Sequence, residues 1–120
     1  MANTYRPDTD AGAVRLLLND VGAPWVFSDA EIDAFLTLEG GSIKRAAAQA
    51  IDTNADNEAL ASKVLRTQDV QTDGAKLAAA LHARADSLRA QATDDEEADG
   101  YFEIVDTVHQ SRRRNPLIGW

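Results

Sequence analysis

Apolar residues recur along most of the chain at spacings of three and four, the mark of helices that bury one face. Val14, Leu17, Leu18 and Val21 form the first stripe. Asp8, Thr9 and Asp10 are its candidate N-caps, and Gly22 and Pro24 are its stop. Trp25, Val26 and Phe27 make an apolar knot in the following loop. Ser28-Asp29-Ala30-Glu31 then reads as a capping box, with Phe27 and Ile32 placed as a hydrophobic staple. The second helix so predicted buries Ile32, Phe35 and Leu36 and ends at Gly40-Gly41.

A third helix is predicted from Ser42 to about Leu65. Its apolar stripe has two halves, Ile43, Ala47, Ala50 and Ile51, then Leu60, Ala61, Val64 and Leu65. Between them residues 52–57 have poor helix propensity, so the helix either continues or bends into an exposed turn there. Residues 66–71 are short and polar and fit a brief strand or extended turn. From Asp73 a fourth helix carries Leu77, Leu81, Ala85, Leu88 and Ala92 on one face, with Arg84 and Arg89 off it. The acidic residues 94–99 and Gly100 break that pattern, and Tyr101-Phe102-Glu103-Ile104-Val105 with Val108 reads as a strand. The expected fold is mainly α, a small four-helix domain over residues 1–93. An acidic linker, a short C-terminal strand or extended arm, and a docking tail follow over residues 94–120.

Composition narrows the function. At 120 residues the chain suits one domain, and much of its 44% hydrophobic content is alanine. Such a core buries little apolar area per residue, so an isolated subunit is modestly stable and partners add to it. The absence of cysteine excludes disulfide scaffolds, thiolate metal sites and cysteine nucleophiles. No apolar run approaches the roughly 20 residues that span a bilayer, and residues 1–10 lack the features of a signal peptide. The expectation is a soluble protein made in the cytoplasm, with no membrane partner. A net charge of −8 argues against a broad nucleic-acid-binding surface.

Candidate chemistry is sparse. Asp95, Glu97, Asp99 and Gly100, with Asp106, approach a calcium-loop pattern, but the following segment reads as a strand and the usual final Glu is missing. Asp52, Asn54 and Asp56 begin another, in which Asn57 replaces the turn glycine and Lys63 takes the last ligand position. His82 has Asp86 one helical turn on, a pairing open to a hydrogen bond, while His109 stands alone. Neither belongs to a nucleophile motif, and Gly40-Gly41 lacks the continuation of a phosphate loop. No catalytic residue, metal ligand or cofactor site is assigned, and the chain is not expected to be an enzyme.

The candidate site is instead the tail. Arg112, Arg113 and Arg114 form the one basic run on an acidic chain, followed by Leu117, Ile118 and Trp120. Exposed apolar groups beside a basic run fit docking onto a neighbouring subunit or partner, disorder being the alternative. Contact with nucleic acid or headgroups is a further option for the arginines, although three charges leave a weak footprint. Residues 94–99 are a complementary acidic patch.

Ser62-Lys63-Val64-Leu65-Arg66-Thr67-Gln68-Asp69-Val70-Gln71-Thr72-Asp73-Gly74, with the helix of Leu77, Leu81 and Leu88 after it, resembles the head–tail connector (adaptor) proteins of tailed bacteriophages. The Phe27-Ser28-Asp29-Ala30-Glu31-Ile32 helix start and the Gly-Gly stop before an alanine-rich helix support the likeness, which covers about residues 11–93. The resemblance implies a virion protein at the neck, made in the host cytoplasm. It implies a homo-oligomeric ring, a dodecamer in the family, that binds below the portal protein and extends the DNA channel. Further connector or tail proteins are the implied next partners, and double-stranded DNA passes through without specific binding. A helical regulatory or protein-binding module is the alternative.

Overall fold

The computed structural model describes residues 3–66 and 74–114, and of residues 100–114 the backbone alone. Five helices and no strand occur among the described residues: α1 (Asp10–Leu18), α2 (Asp29–Leu38), α3 (Ile43–Thr53), α4 (Glu58–Val64) and α5 (Gly74–Arg114). The fold is mainly α. α3 lies at its centre, touching α1, α2 and α5, while α4 closes the side between α1 and α5.

Alanine permits this arrangement. Ala46, Ala47, Ala48 and Ala50 are all buried on α3 beside Ile51, so three helices approach the same short rod from different sides. The larger side chains come from its neighbours: Val14 and Leu18 of α1, Ile32 of α2, Leu60 of α4, and Leu81 and Leu88 of α5. On α5 the predicted stripe Leu77, Leu81, Ala85, Leu88 and Ala92 is the buried face.

The helix starts follow local chemistry. The Thr9 hydroxyl accepts from the Gly12 N–H, the Ser42 hydroxyl from Arg45 and the Asn57 side chain from Leu60. At α2 the capping box is complete: Ser28 Oγ accepts from the Glu31 N–H at 3.1 Å, and Glu31 Oε1 accepts from the Ser28 N–H at 2.9 Å. Phe27 and Ile32 are both buried, and Phe27 meets Phe35 edge-on.

The structure departs from the expected helices at several points. α1 stops at Leu18, before Val21 and Gly22, because Asn19 turns left-handed at φ 57° and its N–H caps Arg15 and Leu16. Of the two readings of residues 52–57 the turn is the one found, so the predicted third helix is two, α3 and α4. Asn54 closes α3 by donating its side-chain amide to the Ala50 carbonyl, Asn57 opens α4, and Ala55 is buried between them. Five helices therefore replace four.

The acidic residues 94–99 do not interrupt the fourth predicted helix, and the predicted strand at residues 101–108 is helical. α5 runs through both to Arg114. Lys44 and Arg45 at the start of α3 hold Asp95 and Glu96 on the helix, and Gly100 in a helix interior costs only about 1 kcal/mol. The boundary expected between residues 93 and 94 falls within this continuous helix. At 1.5 Å per residue α5 is about 60 Å long, in a molecule measuring 69 × 34 × 21 Å.

The short strand or turn expected at residues 66–71 lies almost wholly outside the described residues. Of it only Arg66 is seen, leaving α4 with φ 56°. No helix among the described residues is long and apolar enough to cross a membrane.

Candidate functional site

Three helices leave a groove where they converge. Leu16 and Leu17 of α1, Ile43 of α3 and Ala92 of α5 line an open cavity of about 440 Å3. Its lining is apolar, and Leu16 is 58% exposed, unusual for a leucine beside a core. Asp95, Glu96 and Asp99 rim it along α5, and Lys44 stands on the α3 side. Lys44 Nζ meets Asp95 at 2.7 Å, and Arg45 grips Glu96 through Nε and Nη2, each at 3.0 Å. The Arg45 hydrogen bond, with its charge, holds the Glu96 carboxyl below its ordinary range despite some desolvation. These two cations engage two of the five carboxylates in residues 94–99, so the rim stays net negative. An apolar floor with an acidic edge can take an apolar segment that carries positive charge.

A second polar cluster joins α3 to α5. Asp52 Oδ1 lies 2.6 Å from His82 Nδ1, and Asp52 Oδ2 accepts from Arg89. Burial works to raise the Asp52 pKa, and the hydrogen bonds from His82 and Arg89 outweigh it, leaving the carboxyl below its ordinary value. His82 thus pairs across to α3 instead of with Asp86, which lies 3.7 Å from Arg89. The arrangement fastens one helix to another.

The third cluster is buried. Arg15 and Asp20, 1% and 0% exposed, meet at 3.1 Å, and Lys63 of α4 reaches Asp20 Oδ1 at 2.6 Å. Asp20 also accepts the N–H groups of Val26 and Phe27, and Arg15 donates to the Phe27 carbonyl and to Asp29 while its guanidinium lies over Trp25. Asp29 in turn binds Thr4 and is held below its ordinary pKa, chiefly by Arg15. Both carboxylate oxygens of Asp20 accept from the loop, Oδ1 also from Lys63 of α4 and Oδ2 also from Arg15 of α1, which reaches the Asp20 carbonyl as well. The apolar knot of residues 25–27 is thereby clamped to α1.

Arg112, Arg113 and Arg114 fall in the last turn of α5, with side chains outside the described residues, and Leu117, Ile118 and Trp120 lie outside them altogether. His109 is helical in backbone only. The calcium-like segment at Asp95, Glu97 and Asp99 is helix in place of a loop, and no group of acidic or histidine side chains among the described residues is arranged to hold a metal. Sequence reasoning passed over Leu16. Its signal was the run Leu16-Leu17-Leu18, one more leucine than a single helical face can bury.

No protein-family model, curated protein or solved structure matches the chain.

Proposed function

We propose that the chain is a structural virion subunit, a head–tail connector that forms a ring below the portal, joins head to tail and extends the DNA channel. The observation that carries the reading is the open, acid-rimmed groove on a small helical body whose sequence also includes a basic, apolar-ended tail. A part of this kind offers one surface to a neighbour and another to a partner. The likeness of residues 11–93 to phage connectors supplies the identity of those partners: the portal protein, further connector or tail proteins, and other copies of the chain.

Two properties support the reading. The alanine-lined α3 keeps the body thin, with helices packed close enough to tile around an axis. A net charge of −8 makes a poor trap for phosphates, so DNA passes a wall built from such subunits without being held. Arg112, Arg113, Arg114, Leu117, Ile118 and Trp120 are the residues assigned to docking on the portal or a neighbouring copy.

Mass spectrometry of purified phage particles tests the assignment. The connector is a stoichiometric component of the particle, present in several copies. Its absence from particles, with a partner found elsewhere in the infected cell, would make it a regulatory or binding module instead.

A further inference from the structure

We infer that the groove between α1, α3 and α5 receives the tail of a second copy of the same chain. Arg112, Arg113 and Arg114 would lie along the acidic edge, with Leu117 and Ile118 on the apolar floor. The inference deepens the connector reading and rests on it for the setting in which copies meet. Its own basis is complementarity. The groove joins an apolar floor, Leu16, Leu17, Ile43 and Ala92, to a rim of Asp95, Glu96 and Asp99. The tail joins three arginines to an apolar stretch in the same succession of charge and oil. Leu16 is 58% exposed, left uncovered among the described residues.

Geometry assigns the tail to another copy. From Ala92 to Arg114, α5 advances roughly 33 Å at 1.5 Å per residue. Beyond Arg114 the four residues to Ile118 reach at most about 14 Å when fully extended. A tail leaving the far end of α5 therefore cannot fold back into its own groove. Arg112 is likewise about 20 Å along the helix from Asp99, too far for its own guanidinium to reach that carboxylate.

The contact has a consequence for assembly. Groove and tail are different surfaces, so the interface is heterologous, and repetition gives a closed ring or an open filament rather than a two-fold dimer. A single tail in a groove covers less area than a stable standard-sized interface. In a closed ring each copy uses its tail once and its groove once, and closure adds the gain of multivalency.

The native chain has no cysteine, so a cross-link reads the contact directly. Full-length Leu16→Cys and Ile118→Cys variants are mixed under mild oxidation, over protein concentrations up to the solubility limit. The expected result is a heterodimeric disulfide forming several-fold faster than either homodimer. It should slow as salt is added and be lost when Arg112, Arg113 and Arg114 are changed to Glu in the Ile118→Cys chain. Changing Asp95 and Asp99 to Lys in the Leu16→Cys chain restores it with the Glu-bearing tail. No excess of heterodimer at any concentration overturns the inference. So does an intrachain bond in a Leu16→Cys/Ile118→Cys double variant at high dilution. Failure here with normal incorporation into particles removes the tail contact and leaves the connector reading, whereas a clean cross-link in a chain missing from particles does the reverse.

Discussion

Asp52 of α3 holds His82 and Arg89 of α5 at once, one on each carboxylate oxygen, with His82 Nδ1 at 2.6 Å. The same two helices also share the Lys44–Asp95 and Arg45–Glu96 ion pairs at the other end of α3, over a seam of alanine and leucine contacts. Together these polar bonds fix how far α5 is advanced along α3, and so where the far end of α5 stands relative to the body.

Acid should loosen that fastening. The carboxyls of Asp52, Asp29 and Glu96 all lie below their ordinary values, so each contributes stability above its unfolded pKa and loses it as pH falls through the lower folded one. Melting temperature, followed by circular dichroism, should fall steeply below about pH 4. Asp52→Asn should be less stable than the native chain at neutral pH and show a shallower acid decline. A melting temperature that rises from pH 5 to pH 3 would contradict this assignment.

The buried cluster is the most sensitive polar site. Asp20→Ala leaves Arg15 and Lys63 without their shared carboxylate and frees two N–H groups in the loop, a loss of about 3–5 kcal/mol. Leu16→Glu, on an exposed position, should stay within about 0.5 kcal/mol of native. Urea denaturation compares them, and equal stability of the two variants would mean the cluster is not a clamp.

Gly12 is a position where a better helix former should do harm. Alanine in a helix is ordinarily favoured over glycine by about 0.5–1 kcal/mol. A β-carbon at Gly12, however, would sit 1.6 Å from the Arg6 carbonyl oxygen, because the N-terminal segment crosses α1 there. Gly12→Ala should therefore lower the melting temperature and detach residues 3–8, seen as faster amide exchange at Thr4. A more stable variant would refute the close crossing.

Body and tail should separate by mutation. Leu81 is fully buried on α5, and Leu81→Asp places a charge in the core and unfolds the subunit. Removing residues 110–120 should leave the helical circular-dichroism signal and the melting transition of the body in place while ending assembly. Collapse of the truncated chain would show the tail to be part of the core.

Much of this architecture is legible from neighbouring residues, because its causes are local. The Ser28/Glu31 capping box needs only four residues, and the Leu77-to-Ala92 stripe needs only its own period. Where long-range contacts decide, the sequence is silent. Nothing near Asp20 announces Lys63 forty-three positions on, or Asp52 as the partner of His82. The strand expected at residues 101–108 rested on β-branched and aromatic density, a preference that depends on a sheet to pack against. There is no sheet among the described residues, and the helix simply continues. The groove was hidden for a related reason: Leu16 belongs to no stripe, and its meaning emerges only when α3 and α5 are set beside it.

The central claim is that copies of this chain form a ring on a portal. Electron microscopy of the purified chain mixed with the portal protein proposed as its partner tests it most directly. The account predicts a closed ring of the chain stacked coaxially under the portal, lost on removal of residues 110–120. A chain that stays monomeric and leaves the portal bare would contradict it.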